Sequence, residues 1–456
     1  MPIRGIILIT FFIGSLPFCF IRPFYGVALW AVIAFLNPQW YAWSAARTLP
    51  WALVVAIPTL AGFLAFCRGW TQRILTREVI LLFLLWVWFT ITSTLAGNNA
   101  LFVDHLDDMW FRWNVVSKIL LMAVVTVAVV DSFQRLRVLV IVMSCCFGFF
   151  VAKAFPFLIV TAGTYRVYGP PKSMIADNND YGLALNMTLP LFFFLAQTEV
   201  KPWVRNMFWA LFAMTIPSIC FTYSRGALVG LVAVSGLMVL RSKQRLVFIP
   251  VLLIGAVLAL LFAPDAWRER MDPTRPGALD ASAMSRINAW TFCWRLASDY
   301  PIAGAGFGTF TPDLFLRYAP NPEDVHGPHS VYFGLLAEHG FVGLGLYLLL
   351  IGSTMWTASS IVKKANARGD HVAMCYANMF RISLVGFLAS GTFLGRAYFD
   401  YVFSIIGCLV VLKQVCETQW REDDLAAEEE EHSSDPLARE AVMSEGGGAP
   451  LPAPLA

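Results

Sequence analysis

Two histidines lie immediately before a hydrophobic segment, in the stretch VHGPHSVYF. His326 and His329 are three residues apart, with Pro328 between them. Histidine is the side chain best suited to accept a proton near neutral pH, so the pair predicts general-base chemistry. A metal site is an alternative, although the chain offers no helical HxxxH and no adjacent cysteine here. A helix-capping or surface role is also open, and His339, ten residues further on, is expected to be structural.

Basic side chains are the second set of residues that could bind or react. A cation at membrane depth is costly unless it has a partner. An anionic ligand at the lipid–water boundary would supply that partner, and the planar guanidinium of arginine binds two phosphate oxygens at once. The pattern therefore favours a lipid diphosphate, while the alternative is that each cation extends to lipid headgroups or pairs with a carboxylate. The residues are Lys118, Arg166, Lys172, Arg225 and Arg286.

Acidic residues could support a metal-dependent route instead. They form two clusters, Asp104, Asp107 and Asp108 in VDHLDDMW, and Asp177 and Asp180 in ADNND. A solvated loop and a helix cap explain them more simply. We therefore expect neither a metal nor a cofactor. The glycine-rich stretch SDYPIAGAGFGTF does not match the phosphate-binding pattern GxxxxGK[ST], so we expect it to form a tight, close-packed corner.

The composition indicates which elements must position these groups. Hydrophobic residues make up 58% of the 456-residue chain and charged residues only 14%, and the mean hydropathy is +0.65. Because charged residues are nearer a quarter of a soluble domain, we predict an all-α polytopic membrane protein with no nucleic-acid partner. The nine cysteines include no CxxC pair and are expected to be buried small hydrophobes. The N-terminus lacks an A-x-A cleavage signal and is expected to remain as a membrane segment.

Apolar stretches of about 17 to 25 residues are long enough to span a membrane. The first two are short and interrupted by Pro17 and Pro23, so we predict about 12 spans, with 13 possible, and leave open whether residues 1–45 cross once or twice. The stretches are 5–21, 24–45, 49–66, 78–96, 113–130, 136–160, 181–198, 203–221, 225–240, 245–263, 331–358, 379–396 and 398–415.

The orientation follows from the short loops that carry basic residues. Cytoplasmic loops have an excess of Lys and Arg, and the basic loops alternate consistently along the chain. The opposite, outer face then receives the longest connection, 264–330, together with all five cations described above. The basic loops contain Arg68, Arg73 and Arg77; Arg135 and Arg137; Lys201 and Arg205; Arg241, Lys243 and Arg245; and Lys363, Lys364 and Arg368.

The chain accordingly divides into four parts. Residues 1–263 form N-terminal transmembrane helices, and residues 264–330 form one large periplasmic loop with an amphipathic helix. Residues 331–416 form the C-terminal transmembrane helices. Residues 417–456 are rich in acidic residues, Gly, Pro and Ala, and are predicted to be a disordered cytoplasmic tail because they have nothing with which to build a core.

Three motifs in this order resemble a known family. SRG stands at the outer end of a span, R-x-x-x-W precedes the turn P-I-x-G-x-G-x-G-x-F, and H-S-x-Y-x-x-x-x-x-E-x-G-x-x-G-L leads into a helix. The set, within residues 222–347, resembles the O-antigen ligase and polymerase superfamily. It is most similar to the ligase branch and to the O-glycosylation ligases associated with exosortase systems. The acidic tail and the DNND segment depart from the family pattern.

The resemblance implies a fold, an activity and a set of residues. The fold is GT-C-like, and the enzyme is a metal-independent, inverting glycosyltransferase of the bacterial inner membrane. It moves a glycan from undecaprenyl diphosphate, on the periplasmic face, to an acceptor hydroxyl on a lipid A-core sugar or on a protein. The implied functional residues are Arg225, Arg286 and His329, with His326 as a possible substitute for the last. Lys118, Arg166, Lys172 and Tyr332 are expected to assist in substrate binding.

Other functions compete with this interpretation. An O-antigen polymerase uses the same donor and differs in its acceptor, and a protein O-oligosaccharyltransferase would use Ser or Thr. A lipid-linked glycan transporter is the alternative from another class, because many spans and buried charges also describe transporters. The chain has no evident pair of matching halves, and its ionisable residues gather on one face, which argues against transport.

Overall fold

The computed structural model describes residues 3–42, 45–99, 101–102, 106–241, 264–271 and 281–434. Across these residues the secondary structure is helical, and they contain no β-strand. A 3₁₀ helix, Pro38–Tyr41, follows the second α-helix. The α-helices are α1 (Ile3–Ile21), α2 (Pro23–Leu36), α3 (Ala45–Thr48), α4 (Trp51–Phe66), α5 (Trp70–Ile74), α6 (Arg77–Gly97), α7 (Leu106–Val129), α8 (Phe133–Val160), α9 (Asn178–Thr198), α10 (Pro202–Cys220), α11 (Arg225–Arg241), α12 (Asp265–Met271), α13 (Ala281–Asp299), α14 (Pro312–Tyr318), α15 (Val331–Arg368), α16 (His371–Gly391) and α17 (Asp400–Ser434).

The chain is a polytopic membrane protein, as its composition predicts. Within the described residues, seven helices are long and apolar enough to cross a membrane, namely α1, α6, α7, α8, α15, α16 and α17. Shorter apolar helices cover Pro23–Leu36, Trp51–Phe66 and Arg225–Leu240. The predicted spans 181–198 and 203–221 coincide with α9 and α10. The predicted span 245–263 lies outside the described residues, as do residues 272–280 of the predicted large loop.

The first two apolar stretches form two separate helices. α1 ends at Ile21, and α2 begins at Pro23. A residue before proline is driven out of the α region, and Arg22 indeed has φ −133° and ψ 88°. The chain therefore turns between α1 and α2, and both pack with α4.

Helix α9 lies at the centre of the bundle. Every residue from Asp180 to Ala196 is buried, and the helix packs against α8, α10, α11 and α16. One buried polar group of α9 is paired within the core: the Asn186 amide nitrogen donates to the carbonyl of Ala227 at 2.7 Å and to the hydroxyl of Ser390 at 3.0 Å. Such pairing satisfies groups that would otherwise be costly in an apolar interior.

Helix α15 is broken two turns after its start. Gly340 has φ 66° and ψ −173°, which a helix cannot accommodate. The glycine-rich turn enters this break, because the N–H groups of Ala305 and Gly306 donate to the carbonyls of Ala337 and Glu338 at 3.0 and 2.8 Å. The turn thus satisfies carbonyls that lose their helical partners. It forms a close-packed corner, as the sequence predicts.

The basic loops meet at the end of the bundle away from this corner. Arg77, the first residue of α6, donates to the Thr357 hydroxyl at 2.9 Å near the far end of α15. Arg137 on α8 pairs with Glu199 just after α9. The backbone carbonyl of Arg73 accepts a 2.6 Å hydrogen bond from Gln414 of α17. The side chain of Arg241, and residues 242–245, lie outside the described part of the chain.

Two helices near the C-terminus differ in length from the predicted segments. The span predicted at 379–396 is α16, which begins at His371 because Asp370 caps it through the N–H of Ala373 at 2.9 Å. Disorder was predicted from 417, but α17 continues to Ser434. The reason is a contact with the α15–α16 turn: the Trp420 indole is buried and donates to the Asp370 carboxylate at 3.1 Å, and Arg368 binds both oxygens of Asp424.

Candidate functional site

Amphipathic helix α13 carries Arg286. Its inner face is formed by Ala289, Phe292, Cys293 and Leu296, which are fully buried at helical spacing. The face opposite, including Trp294, is exposed. The predicted amphipathic segment is therefore a docked helix that packs against α14 and α15.

Trp290 attaches α13 to the histidine segment. Its ring stacks on Phe333 at a centroid separation of 5.1 Å, and its indole N–H donates to the carbonyl of Pro328 at 2.7 Å. Asn288 adds a second attachment, since its amide donates to the carbonyl of Asn321 at 2.9 Å and accepts the N–H of the same residue at 2.8 Å. These contacts fix Arg286, one turn before Trp290, relative to the residue that follows Pro328.

Three arginines line one cavity, which we call the arginine cavity. They are Arg225 at the start of α11, Arg270 of α12 and Arg286 of α13, and the cavity has a volume of about 320 Å³. Trp290 and Phe393 form apolar parts of its wall. The structure therefore brings Arg225 and Arg286, which the sequence singled out separately, to one place.

The SRG motif positions Arg225 at the mouth of a helix. The Ser224 hydroxyl accepts the N–H of Ala227 at 3.2 Å, which caps α11. The Nε and Nη2 groups of Arg225 donate to the carbonyl of Arg270 at 3.0 and 2.8 Å. Arg270 in turn donates through Nε to the carbonyl of Tyr223 at 3.0 Å. These bonds hold α12 against the α10–α11 turn.

His329 lines a second cavity, which we call the histidine cavity, of about 430 Å³. Its polar wall comes from three elements distant in sequence. α7 contributes Asp108 and Arg112, α9 contributes Asp180, and the α16–α17 connection contributes Arg396. Arg112 pairs with Asp108, and Arg396 with Asp180, each at 2.6 Å.

The two predicted histidines occupy different environments. The Nε2 atom of His326 lies 2.7 Å from the Ser285 hydroxyl, and its Nδ1 lies 3.2 Å from the carbonyl of Asp324. His326 therefore contacts α13 through Nε2 and its own loop through Nδ1. His329 has a positive φ of 44°, which is uncommon for a residue other than glycine. This conformation precedes α15, and the His329 ring borders the histidine cavity.

The pKa of His329 lies below its usual value. Burial is the main cause, followed by the positive charges of Arg286 and His326. The negative charge of Asp177 raises the pKa of His329, and the positive charge of Arg396 lowers it. Because the charged form is disfavoured, the imidazole is neutral at pH 7 and can accept a proton.

Glu338 and His339, on α15, stabilise the glycine-rich corner. The Glu338 carboxylate accepts the N–H of Gly308 at 3.0 Å and the hydroxyl of Tyr398 at 2.6 Å. His339 is fully buried, lies 2.7 Å from the Thr92 hydroxyl and stacks on Phe89 at 4.1 Å. Its environment matches the structural role expected from the sequence.

Four of the predicted assisting residues do not line either cavity. Lys118 is exposed on α7. Arg166 lies over the ring of Tyr223, with 5.8 Å from its guanidinium carbon to the ring centroid, and Lys172 lies 5.1 Å over Trp40. The Tyr332 hydroxyl donates to the carbonyl of Leu388 at 2.9 Å. The contacts of Arg166, Lys172 and Tyr332 direct these three side chains to packing partners outside the cavities.

One member of each acidic cluster, Asp108 and Asp180, lines the histidine cavity. Asp177 caps α9 by accepting the N–H of Asn179 at 2.8 Å. Asp108 and Asp180 are the ion-pair partners described above, and Asp104 lies outside the described residues. In the part of the chain that the structure describes, no group of three or more His, Cys, Asp or Glu side chains is placed to hold a metal ion.

Arg112, Arg270 and Arg396 border the cavities but were not singled out from the sequence. Arg396 had a usable signal, because it lies in a short connection assigned to the outer face, where cations are few. Arg112 lies inside the apolar run WFRWN, and Arg270 lies in a segment with several charges. The sequence around Arg112 or Arg270 therefore gives no sign that either residue lines a cavity.

Comparison with known proteins adds two matches. Residues 210–348 match the sequence family described as O-Antigen ligase. Residues 3–199 match a family of unknown function. No curated protein matches the chain. The first match includes Arg225, Arg286 and His329, and it covers the three motifs on which the resemblance rests.

Proposed function

We propose, because residues 210–348 match the sequence family described as O-Antigen ligase, that the chain is a membrane glycosyltransferase of the ligase type. It transfers a glycan from undecaprenyl diphosphate to an acceptor hydroxyl at the periplasmic face of the inner membrane. The acceptor is a sugar of lipid A-core. A second lipid-linked glycan, or a protein Ser or Thr, are the acceptors of the related polymerases and protein-directed enzymes.

One observation carries this proposal. Arg225 and Arg286, on helices α11 and α13, line a single cavity, and α13 is bonded through Trp290 to the residue before His329. The two arginines proposed to bind the diphosphate are therefore connected through α13 to the neutral imidazole of His329. These are the two kinds of group that transfer from a sugar diphosphate requires.

The arginines would bind the donor diphosphate. The Nε and Nη2 groups of Arg225 donate to the Arg270 carbonyl, which orients the guanidinium group at the cavity wall. Arg225 would bind one phosphate, and Arg286, which lines the same cavity, would bind the second. The guanidinium charges would stabilise the negative charge that develops on the leaving diphosphate, and no metal would be required for that purpose.

His329 would act as the general base. The acceptor oxygen attacks the anomeric carbon, and its proton passes to the imidazole. The bond between the anomeric carbon and the diphosphate oxygen breaks, and its electron pair stays on undecaprenyl diphosphate. A single displacement of this kind inverts the anomeric centre and forms no glycosyl-enzyme intermediate. The depressed pKa of His329 supports the role, because it keeps the imidazole neutral before the reaction.

The location of the site supports a periplasmic reaction. Both cavities lie where α9, α11 and α15 begin, whereas the contacts of Arg137 and Arg77 lie near the ends of α9 and α15. Because cytoplasmic loops carry the excess of Lys and Arg, this arrangement supports an orientation in which the cavities face the periplasm. It also argues against a transporter, whose binding site is expected near the middle of the membrane.

Reconstitution tests the proposal. Purified protein in proteoliposomes would be given an undecaprenyl diphosphate-linked glycan together with lipid A-core, a second lipid-linked glycan or an acceptor protein. We expect the glycan to move to lipid A-core, with Arg225→Gln inactive and Lys118→Gln active as the matched control. Transfer to the second lipid-linked glycan alone would indicate a polymerase. Movement of the donor across the bilayer without any transfer would indicate a transporter and contradict the proposal.

A further inference from the structure

The residues proposed for the reaction line two different cavities. Arg225 and Arg286 line only the arginine cavity, whereas His329 lines only the histidine cavity. Trp290, whose indole bonds to the carbonyl of Pro328, stands between them. A base must contact the hydroxyl that it deprotonates. The acceptor therefore has to enter the histidine cavity while the diphosphate lies in the other.

The lining of the histidine cavity has no excess of positive charge, because it includes two guanidinium groups and three carboxylates. Arg112 is paired with Asp108, and Arg396 with Asp180. The remaining carboxylate, Glu338, accepts two hydrogen bonds from protein groups. The arginine cavity differs, because its lining brings together the guanidinium groups of Arg225, Arg270 and Arg286. A phosphorylated or strongly acidic acceptor would thus find no excess of positive charge beside His329.

Paired guanidinium and carboxylate groups suit hydroxyl ligands. A hydroxyl both donates and accepts hydrogen bonds, and the pairs present acceptors on Asp108 and donors on Arg112 within one cavity wall. The side chains of this pair are 51% and 52% exposed, so they are accessible to a ligand. The Nε donor of Arg396 is buried and has no hydrogen-bond partner among the described residues, so the second pair is not saturated by protein groups.

Aromatic side chains complete the cavity. Phe111 is 66% exposed although it borders the cavity, and Phe310 and Tyr398 form further parts of the wall. The volume of about 430 Å³ lies within the range of roughly 300 to 1,000 Å³ typical of small-molecule sites. Flat apolar surfaces beside a few polar groups match a sugar ring, which has apolar C–H faces and hydroxyl edges. An extended peptide lacks those hydroxyl edges.

We infer that the histidine cavity is the acceptor subsite and that it takes an uncharged, hydroxyl-rich glycosyl group. This inference rests on the proposed function. Phe111 and the Asp108–Arg112 pair determine acceptor specificity, while the arginine cavity determines donor binding. The terminal sugar of the acceptor lies against Phe111, with its reactive hydroxyl directed at His329.

Acceptor kinetics test the assignment. Phe111→Ala and Arg112→Gln are each expected to raise the acceptor KM by about tenfold or more, with the donor KM unchanged. The matched controls are Tyr168→Ala, an exposed aromatic outside both cavities, and Arg317→Gln, an exposed arginine outside both. An unchanged acceptor KM in both test variants, with transfer intact, would overturn the inference while leaving the proposed function in place.

A comparison of acceptors provides the second arm. Wild-type protein would receive lipid-linked donor with two acceptors that differ only in a phosphate on the terminal sugar, and with an acceptor peptide. We expect kcat/KM to be at least about tenfold higher for the unphosphorylated sugar. Preference for the phosphorylated sugar or for the peptide would overturn the inference. Absence of transfer to every acceptor, with donor binding retained, would instead contradict the proposed function.

Discussion

The rings of His326 and His329 lie 6.1 Å apart between centroids, yet only His329 lines a cavity. His326 is bonded to Ser285 and to the backbone of Asp324, which links α13 to the loop that precedes α15. Two neighbouring imidazoles thus have separate tasks: one would handle a proton, and the other positions the helix that carries Arg286.

Alanine substitution should separate these tasks. His329→Ala is expected to reduce kcat by roughly 10² to 10⁴, because it removes the general base. His326→Ala should reduce it less, by about tenfold or under, since one hydrogen bond to Ser285 is lost while Trp290 still fixes α13. Transfer rates in proteoliposomes measure both. A larger loss in His326→Ala would reassign the base.

The pH profile should report the pKa of His329. The pKa is lowered, so the neutral imidazole predominates above a pH that is itself below about 6.5. The rate should therefore be flat near neutral pH and fall as the solution is acidified through that lowered pKa. The profile of log(kcat/KM) for the acceptor is the measurement.

Neighbouring charges should shift that profile in opposite directions. Arg286→Gln removes a positive charge, so the pKa of His329 should rise and the acidic limb of its residual activity should move to higher pH. Asp177→Asn removes a negative charge and keeps the α9 cap, so the limb should move to lower pH. Identical profiles in all three proteins would show that His329 does not control the limb.

Lysine should not substitute functionally for Arg225 or Arg286. Arg225→Lys and Arg286→Lys keep the charge but lose the planar pair of donors, and Arg225→Lys also loses the bonds to the Arg270 carbonyl. We expect transfer to fall by about 10² to 10³ in each. Arg317→Lys, at an exposed position of α14 outside both cavities, is the control. Full activity of either test variant would refute bidentate phosphate binding.

The broken helix makes a prediction about stability. A Cβ atom at Gly340 would lie 2.2 Å from the carbonyl oxygen of Ile302, and φ there is 66°. Gly340→Ala should therefore destabilise the fold by about 1 to 3 kcal/mol. Gly345→Ala, on the same helix with no atom within 4 Å of the new Cβ, should be neutral or stabilise by about 0.5 to 1 kcal/mol. Thermal unfolding in detergent compares the two, and equal midpoints would contradict the tight corner.

The sequence by itself determined the class of the protein and was sufficient to select the residues that we propose for the reaction. Long apolar runs separated by basic loops are additive, local properties, so they predict membrane helices without knowledge of their packing. Arg225, Arg286 and His329 could be found because each lies in a short motif. The close-packed corner could be predicted because glycines at close spacing permit conformations that other residues rarely adopt.

Only the tertiary structure decided which residues share a cavity. Arg112, Asp180 and Arg396 lie on elements far apart in sequence, and helices that are apolar on every side do not reveal which face meets which neighbour. For the same reason Lys118 and Tyr332 could not be recognised as lying outside both cavities. The helical structure of residues 417–434 could also not be predicted from their polar sequence alone. It depends on tertiary contacts, in which Trp420 binds Asp370 and Asp424 binds Arg368.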